Sequence, residues 1–171
     1  MTKTNCSVNS IQDSFTTTST ISGYSLPISK YYLNFGNSSQ NLTTTTSEIS
    51  GLNVQLTNQG IYEIRVNFVE DLSAVTASVP AANYSFYQLY QGTSSWTAIS
   101  NTERLGTNIS TLTSAITGIN SKTSMFSWIV NNNTTNNIIK LYGKINSTVT
   151  GNWSIISGTT GRSMIMARLI A

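Results

Sequence analysis

The chain is 171 residues long and carries a net charge of +3, a length that suits one domain with a sizeable core. Only 9% of it is charged, against about 25% in an average soluble domain, and Ser, Thr and Asn together supply about 40% of it. There is no histidine, which removes the commonest general base and metal ligand, and a single cysteine, which rules out an intrachain disulfide. The nine Lys and Arg are scattered from Lys3 to Arg168. No dense stripe forms that could neutralise several phosphates, so nucleic acid is not an expected partner. Thr favours strands, Asn, Ser and Gly favour turns, and the usual fillers of helix surfaces are scarce. Composition therefore predicts an all-β chain.

Residues 1–22 read as a polar arm. Ser14, Thr16, Thr17, Thr18, Ser19 and Thr20 fall there without any hydrophobic period, and such a tract cannot bury enough surface to fold alone. The start of the chain lacks the apolar stretch of a secretion signal, and no apolar run is long enough to span a bilayer, so folding in a cytosol without membrane insertion is expected. Residues 23–171 form the predicted domain. Tyr31, Leu33 and Phe35 alternate with polar residues as a strand does, Thr43–Thr46 is a polar β-prone run, and Leu52, Val54 and Leu56 alternate again. The clearest strand follows: Tyr62, Ile64, Val66 and Phe68 alternate with Glu63, Arg65 and Asn67. A helix would spread those apolar residues around its circumference; a strand collects them on one face.

Residues 70–82 read as a connection. A strand over 83–91 sets Tyr84, Phe86, Gln88 and Tyr90 on one face against Ser85, Tyr87 and Leu89 on the other, and Gly92–Ser95 turns the chain. One or two short strands are expected within 96–121. Met125–Val130 and Ile138–Ile145 read as a hairpin with a polar tip over Asn131–Asn137. Trp153, Ile155 and Ile156 follow, then a turn over Gly158–Gly161 and a last strand ending at Ala171. That strand is apolar on both faces, with Ile165, Ala167 and Leu169 on one and Met164, Met166 and Ile170 on the other. An antiparallel sandwich covers only one face of a strand, so Met164, Met166 and Ile170 are candidates for a subunit interface. The sum is about eight to ten short antiparallel strands with turn signals between them.

Motifs for catalysis are missing. The six acids are Asp13, Glu48, Glu63, Glu70, Asp71 and Glu103, and the only close pair, Glu70-Asp71, reads as a solvated loop pair rather than a glycosidase dyad or a calcium site. Cys6 has no base to activate it. No catalytic residue, metal or cofactor is expected. Recognition chemistry remains, since eight tyrosines and three tryptophans are many for so polar a chain. Tyr87, Tyr90 and Trp96 flank a turn, and Asn131, Asn132 and Asn133 lie on the polar hairpin tip. Exposed aromatics beside amides suit sugar binding, so these six are the candidate ligand residues.

The segment Leu56-Thr57-Asn58-Gln59-Gly60-Ile61-Tyr62-Glu63-Ile64-Arg65-Val66 resembles the core signature of the C1q and tumour necrosis factor superfamily, in which a Gly, an aliphatic residue and a Tyr open an amphipathic central strand. Ile138-Ile139-Lys140-Leu141-Tyr142 resembles that superfamily's penultimate region, and Ser163–Ile170 resembles its closing strand. The resemblance covers residues 25–171. It implies an antiparallel jelly roll of ten strands that assembles as a tight homotrimer, often as a head on a stalk. Similar heads occur on virus and phage fibres. By that analogy the expected function is a non-enzymatic virion component, as in a large DNA virus or its satellite virus, that attaches to a host receptor or glycan, with the arm contacting other virion proteins. A purely structural capsid or fibre protein and a glycan-processing hydrolase are the alternatives.

Overall fold

The computed structural model describes residues 20–21, 24–25, 31–76, 83–109, 121–146, 150–157 and 163–171. All regular structure within them is β: β1 (Thr20–Ile21), β2 (Tyr24–Ser25), β3 (Tyr31–Phe35), β4 (Gln40–Asn41), β5 (Ser47–Leu56), β6 (Gly60–Thr76), β7 (Asn83–Gly92), β8 (Thr97–Ala98), β9 (Arg104–Ile109), β10 (Ser121–Asn132), β11 (Asn137–Ile145), β12 (Thr150–Ile156) and β13 (Met164–Leu169). Among the described residues, nine of these reach five residues or more, in line with the eight to ten read from the sequence. β1 and β2 pair with each other. The rest form an antiparallel two-sheet jelly roll.

β6 organises the first sheet. Along one edge it pairs with β10 from Gly60 to Asp71. Along the other edge, β13 takes residues 62–67 and β12 takes 69–76, end to end. β3 closes the sheet outside β13, and β4 outside β12. The second sheet runs β5-β11-β7, with β8 and β9 end to end on the far edge of β7. β3 adjoins β5 on one side of the sandwich and β9 adjoins β10 on the other.

Strand alternation decides which side chains meet between the sheets. Tyr62, Ile64, Val66 and Phe68 of β6 are all fully buried, as their strict period predicts, and face Leu52, Leu56, Leu89, Ile139 and Leu141 of the second sheet. Phe68 and Tyr87 make a tilted ring contact across the interior at 4.5 Å. Each fully buried side chain of this kind is worth about 1.5–3 kcal/mol.

Three details differ from the sequence reading. Thr43–Thr46 is an exposed turn rather than a strand. The connection expected after Glu70 is instead the second half of β6, which runs on to Thr76. The hairpin tip is shorter than Asn131–Asn137, because β10 extends through Asn132 and β11 starts at Asn137. Asn132 donates from Nδ2 to the carbonyls of Asn58 (2.7 Å) and Thr134 (2.8 Å), and accepts from Asn137 Nδ2 (2.8 Å). These bonds fix the short loop, whose last residue, Asn136, adopts φ 56°, a conformation that Asn tolerates better than most residues. The arm up to residue 19, Cys6 and the expected turn at 158–161 lie outside the described residues.

Candidate functional site

The two sheets turn unlike faces outward. On the second sheet, alternation sends Tyr84, Phe86, Gln88 and Tyr90 of β7 and Ile138, Lys140, Tyr142 and Lys144 of β11 away from the core, all half-buried. Register sets Lys140 beside Tyr90 and Lys144 beside Phe86. Tyr90 and Tyr142 stack at 4.1 Å between ring centroids, and Tyr84 meets Phe86 edge-on at 4.7 Å. The Lys140 ammonium sits 3.8 Å from the centroid of the Trp96 ring and 2.6 Å from Glu48 Oε2. Burial, the Glu48 carboxylate and Tyr90 all push the Tyr142 hydroxyl above its ordinary pKa. Lys144 lies 5.4 Å from the centroid of Phe86.

Trp96 owes its place to the Gly92–Ser95 turn. Gly92 has φ 157°, and a Cβ added there would land on the carbonyl oxygen of Ser95. Gly92→Ala is therefore expected to destabilise the protein by more than about 1 kcal/mol and to displace Trp96 from Lys140. The displacement would be read as a shift of the Trp96 indole resonance, with those of buried Trp128 and Trp153 unchanged.

The six candidate ligand residues divide. Tyr90 and Trp96 belong to this aromatic surface. Tyr87 does not: it is 0% exposed and packs on Phe68, because inward parity on β7 belongs to Ser85, Tyr87 and Leu89. Burial, and after it the neighbouring Glu70 carboxylate, drive its hydroxyl well above the ordinary tyrosine value. Asn132 is also 0% exposed and serves the loop bonds described above. Asn131 and Asn133 are exposed, and Asn133 accepts through its carbonyl from Gln59 Nε2 at 2.9 Å. Ile138 pairs with Gly92, so the loops at 92–96 and 133–136 leave the same end of the sandwich. The sequence reading did not single out Glu48, Tyr84, Phe86, Lys140, Tyr142 or Lys144. The alternation that put Tyr84, Phe86 and Tyr90 on one face was visible in it; the pairing that adds β11 and β5 was not.

The outer face of the first sheet is aliphatic at its margins and charged at its centre. Met164 and Met166 of β13, with Leu33 and Phe35 of β3, are half-buried there, and Ile170 is 45% exposed. On the opposite margin Met125 and Ile129 of β10 are 73% and 64% exposed, whereas Leu105 of β9, 60% exposed, pairs with Phe86 and so stands on the outer face of the second sheet. Between the two margins Glu63 bridges Arg65 at 2.6 Å and Arg168 at 2.8 Å. The hydrogen bond from Arg65 is the main reason the Glu63 carboxyl is held below its ordinary pKa of 4.5. A carboxylate lowered by folding adds stability above its unfolded pKa and loses it as pH falls through the folded one. Glu63→Gln is thus expected to be less stable than the wild type at pH 7, with the gap closing below pH 4.5 in urea unfolding followed across pH.

Glu70 is the largest departure from the sequence reading. It is fully buried instead of solvated. Its Oε2 accepts from Ser85 Oγ and Trp153 Nε1, each at 2.9 Å, and its Oε1 accepts from Ser124 Oγ at 3.1 Å and the Thr107 amide at 3.3 Å. The donors come from both sheets, so the carboxyl ties β6, β10 and β12 to β7 and β9. Asp71, one residue on, lies on the opposite face of β6, so the two acids do not share a cleft. Among the described residues, no three His, Cys, Asp or Glu side chains group as a metal site would require.

No protein-family model matches the chain, and no curated protein matches it by sequence. Solved structures similar to it include Eiger TNF from S. frugiperda, with a TM-score of 0.48 and 11% identity over 82% of this chain and 92% of that one. They also include infectious bursal disease virus of the Gt strain, with a TM-score of 0.50 and 12% identity over 93% of this chain, and of the Gx strain, with a TM-score of 0.45 and 13% identity over 92% of it. This chain spans 38% and 41% of those two viral chains. At such identities the Gt-strain likeness bears on the fold alone, and it agrees with the jelly roll drawn by the strand pairing.

Proposed function

We propose that the chain is a non-enzymatic head or shell domain of a virion, assembled as a homotrimer and attaching to a host receptor or glycan. The observation that carries the assembly is the outer face of the first sheet, where Met125 and Ile129 stand 73% and 64% exposed on an edge strand. Large aliphatic side chains standing together on an otherwise polar surface mark a contact with another molecule. The face has two unlike apolar margins: Met125 and Ile129 on the β10 side, and Leu33, Phe35, Met164 and Met166 on the β3–β13 side. Unlike patches on one subunit favour head-to-tail contacts, which close into a ring when the rotation allows. In this arrangement Met164, Met166 and Ile170 are interface residues, as their double-sided strand suggests. The resemblance to the C1q and tumour necrosis factor superfamily supplies the three-fold symmetry, and the polar arm would hold the head to its virion.

The non-enzymatic reading is supported by chemistry: a chain without histidine lacks the commonest general base, and its one adjacent acid pair is split between a buried and an outward position. Light scattering behind a sizing column tests the assembly. A mass of three 18.6 kDa chains is expected, and a monomer at micromolar concentration would overturn it.

A further inference from the structure

We infer that Glu63 makes the trimer acid-sensitive: it is the counter-ion that lets a neighbouring subunit cover Arg65 and Arg168, and its protonation drives the subunits apart. This rests on the assembly reading above and names what regulates that interface.

Register sets the outer face of the first sheet in rows. Ile129, Glu63, Arg168 and Tyr31 lie side by side across β10, β6, β13 and β3. Ser127, Arg65, Met166 and Leu33 make the next row, and Met125, Asn67, Met164 and Phe35 the third. The charges thus stand within the apolar margins rather than apart from them. A subunit that covers Ile129 and Met166 also takes water from Glu63 and its two arginines.

Glu63 is the single acid in these rows and is 9% exposed. Its Oε1 accepts from Arg65 Nε at 2.7 Å and from Ser127 Oγ at 3.5 Å, and its Oε2 lies 2.8 Å from Arg168 Nη2. β10 brings no charge to it, since its outward residues there are Ser127, Ile129 and Asn131. β3 contributes Tyr31, opposite Arg168. Beyond Arg168, the carboxyl group of Ala171 accepts from the Ile61 amide at 2.7 Å. Glu63 and its two arginines therefore carry one net positive charge per subunit while Glu63 is ionised, and two once it is protonated.

In a free subunit water screens the two guanidiniums, whose side chains are 50% and 38% exposed. Under a neighbour it does not, and arginine keeps its charge at any pH. Covering also penalises the charge on the carboxylate itself. Neutralising it, however, leaves two bare guanidiniums in place of a compensated set, and they decide the sign. The hydrogen bond from Arg65 already holds the Glu63 carboxyl below its ordinary 4.5 in the single chain, and the covered site takes a proton less readily still. Assembly is then at full strength above the free subunit's value and weakens as pH falls through it.

The test is sedimentation velocity over a range of protein concentrations. The wild type's midpoint concentration for assembly is expected to rise about tenfold from pH 6 to pH 3.5. At pH 7 Glu63→Gln should need about tenfold more protein to assemble, and it should respond less to acid than the wild type does. The Ala171 carboxyl titrates in both, so the difference between them isolates Glu63. Glu63→Gln/Arg168→Gln restores the net charge of the group and should regain assembly at pH 7, which a merely structural loss at Glu63 would not allow. Circular dichroism reports folding, and if acid unfolds the wild type the comparison at pH 7 decides. A wild-type trimer whose Glu63→Gln variant assembles at the same concentration, or whose double variant assembles no better than the single one, overturns this inference alone. A wild type that is monomeric at pH 7 overturns the assembly reading with it.

Discussion

Replacing Glu70 by Ala is expected to cost about 3–5 kcal/mol of unfolding free energy, measured by urea titration. The carboxyl has no exposure and accepts from four donors on four strands. Removing it strands the Trp153 indole N–H and the Ser85 and Ser124 hydroxyls in the interior, where each unpaired donor costs about 1–3 kcal/mol, while the Thr107 amide keeps Ser85 Oγ at 2.9 Å. The vacated space adds a cavity. Glu70→Gln keeps the shape but turns one acceptor into an NH2 that faces donors whichever way the amide is placed, so a smaller loss of about 1–3 kcal/mol is expected. A Gln variant within 0.5 kcal/mol of the wild type would show that the two oxygens do not both act as acceptors. The site leaves no room for compensation: a Cβ on Gly106 would come within 2.4 Å of Ser85 Oγ and 2.7 Å of Glu70 Oε1.

Ile129→Lys should separate assembly from folding. Ile129 is 64% exposed in the single chain, so the substitution should leave the monomer's stability within about 0.5 kcal/mol, as surface changes generally do. In the proposed trimer the same position is covered by a neighbour, and an unpaired ammonium there would cost several kcal/mol per contact. The expected result is a fall in solution mass from three chains to one with an unchanged circular dichroism spectrum. A variant that keeps the mass of three chains would remove the β10 margin from the interface.

Where the sequence could be read, a single period dominated. Tyr62 to Phe68 alternates without exception, and every apolar member is buried. The same period continues through Glu70 and Leu72, both inward; the acid at Glu70 hid the continuation because a carboxylate ordinarily marks a solvent position. Its partners come from strands remote in sequence, and no local pattern could supply them. Tyr87 was ambiguous for another reason. Both faces of β7 carry aromatics, so parity alone does not say which faces the core. Asn132 resembles its neighbours Asn131 and Asn133 in composition and differs only in pointing inward, toward Asn58 and Asn137. In the last strand alternation separated Met164 and Met166 from Ile165 and Ala167, and the burial of the latter pair shows that the methionines face outward.

The seating of β13 has a kinetic consequence. It lies between β3 and β6, so β3 is made early yet has no neighbour in its sheet until some 130 residues later in the chain. Until then the open edges of β3 and β6 present unpaired amides and carbonyls to any strand they meet. Ring closures over such separations put the transition state late in entropy terms, and folding in milliseconds to seconds, slow for a chain of this size, is the expectation. During that interval the sparse charge of the chain offers little repulsion between copies, so the yield of native protein should fall steeply as the refolding concentration rises.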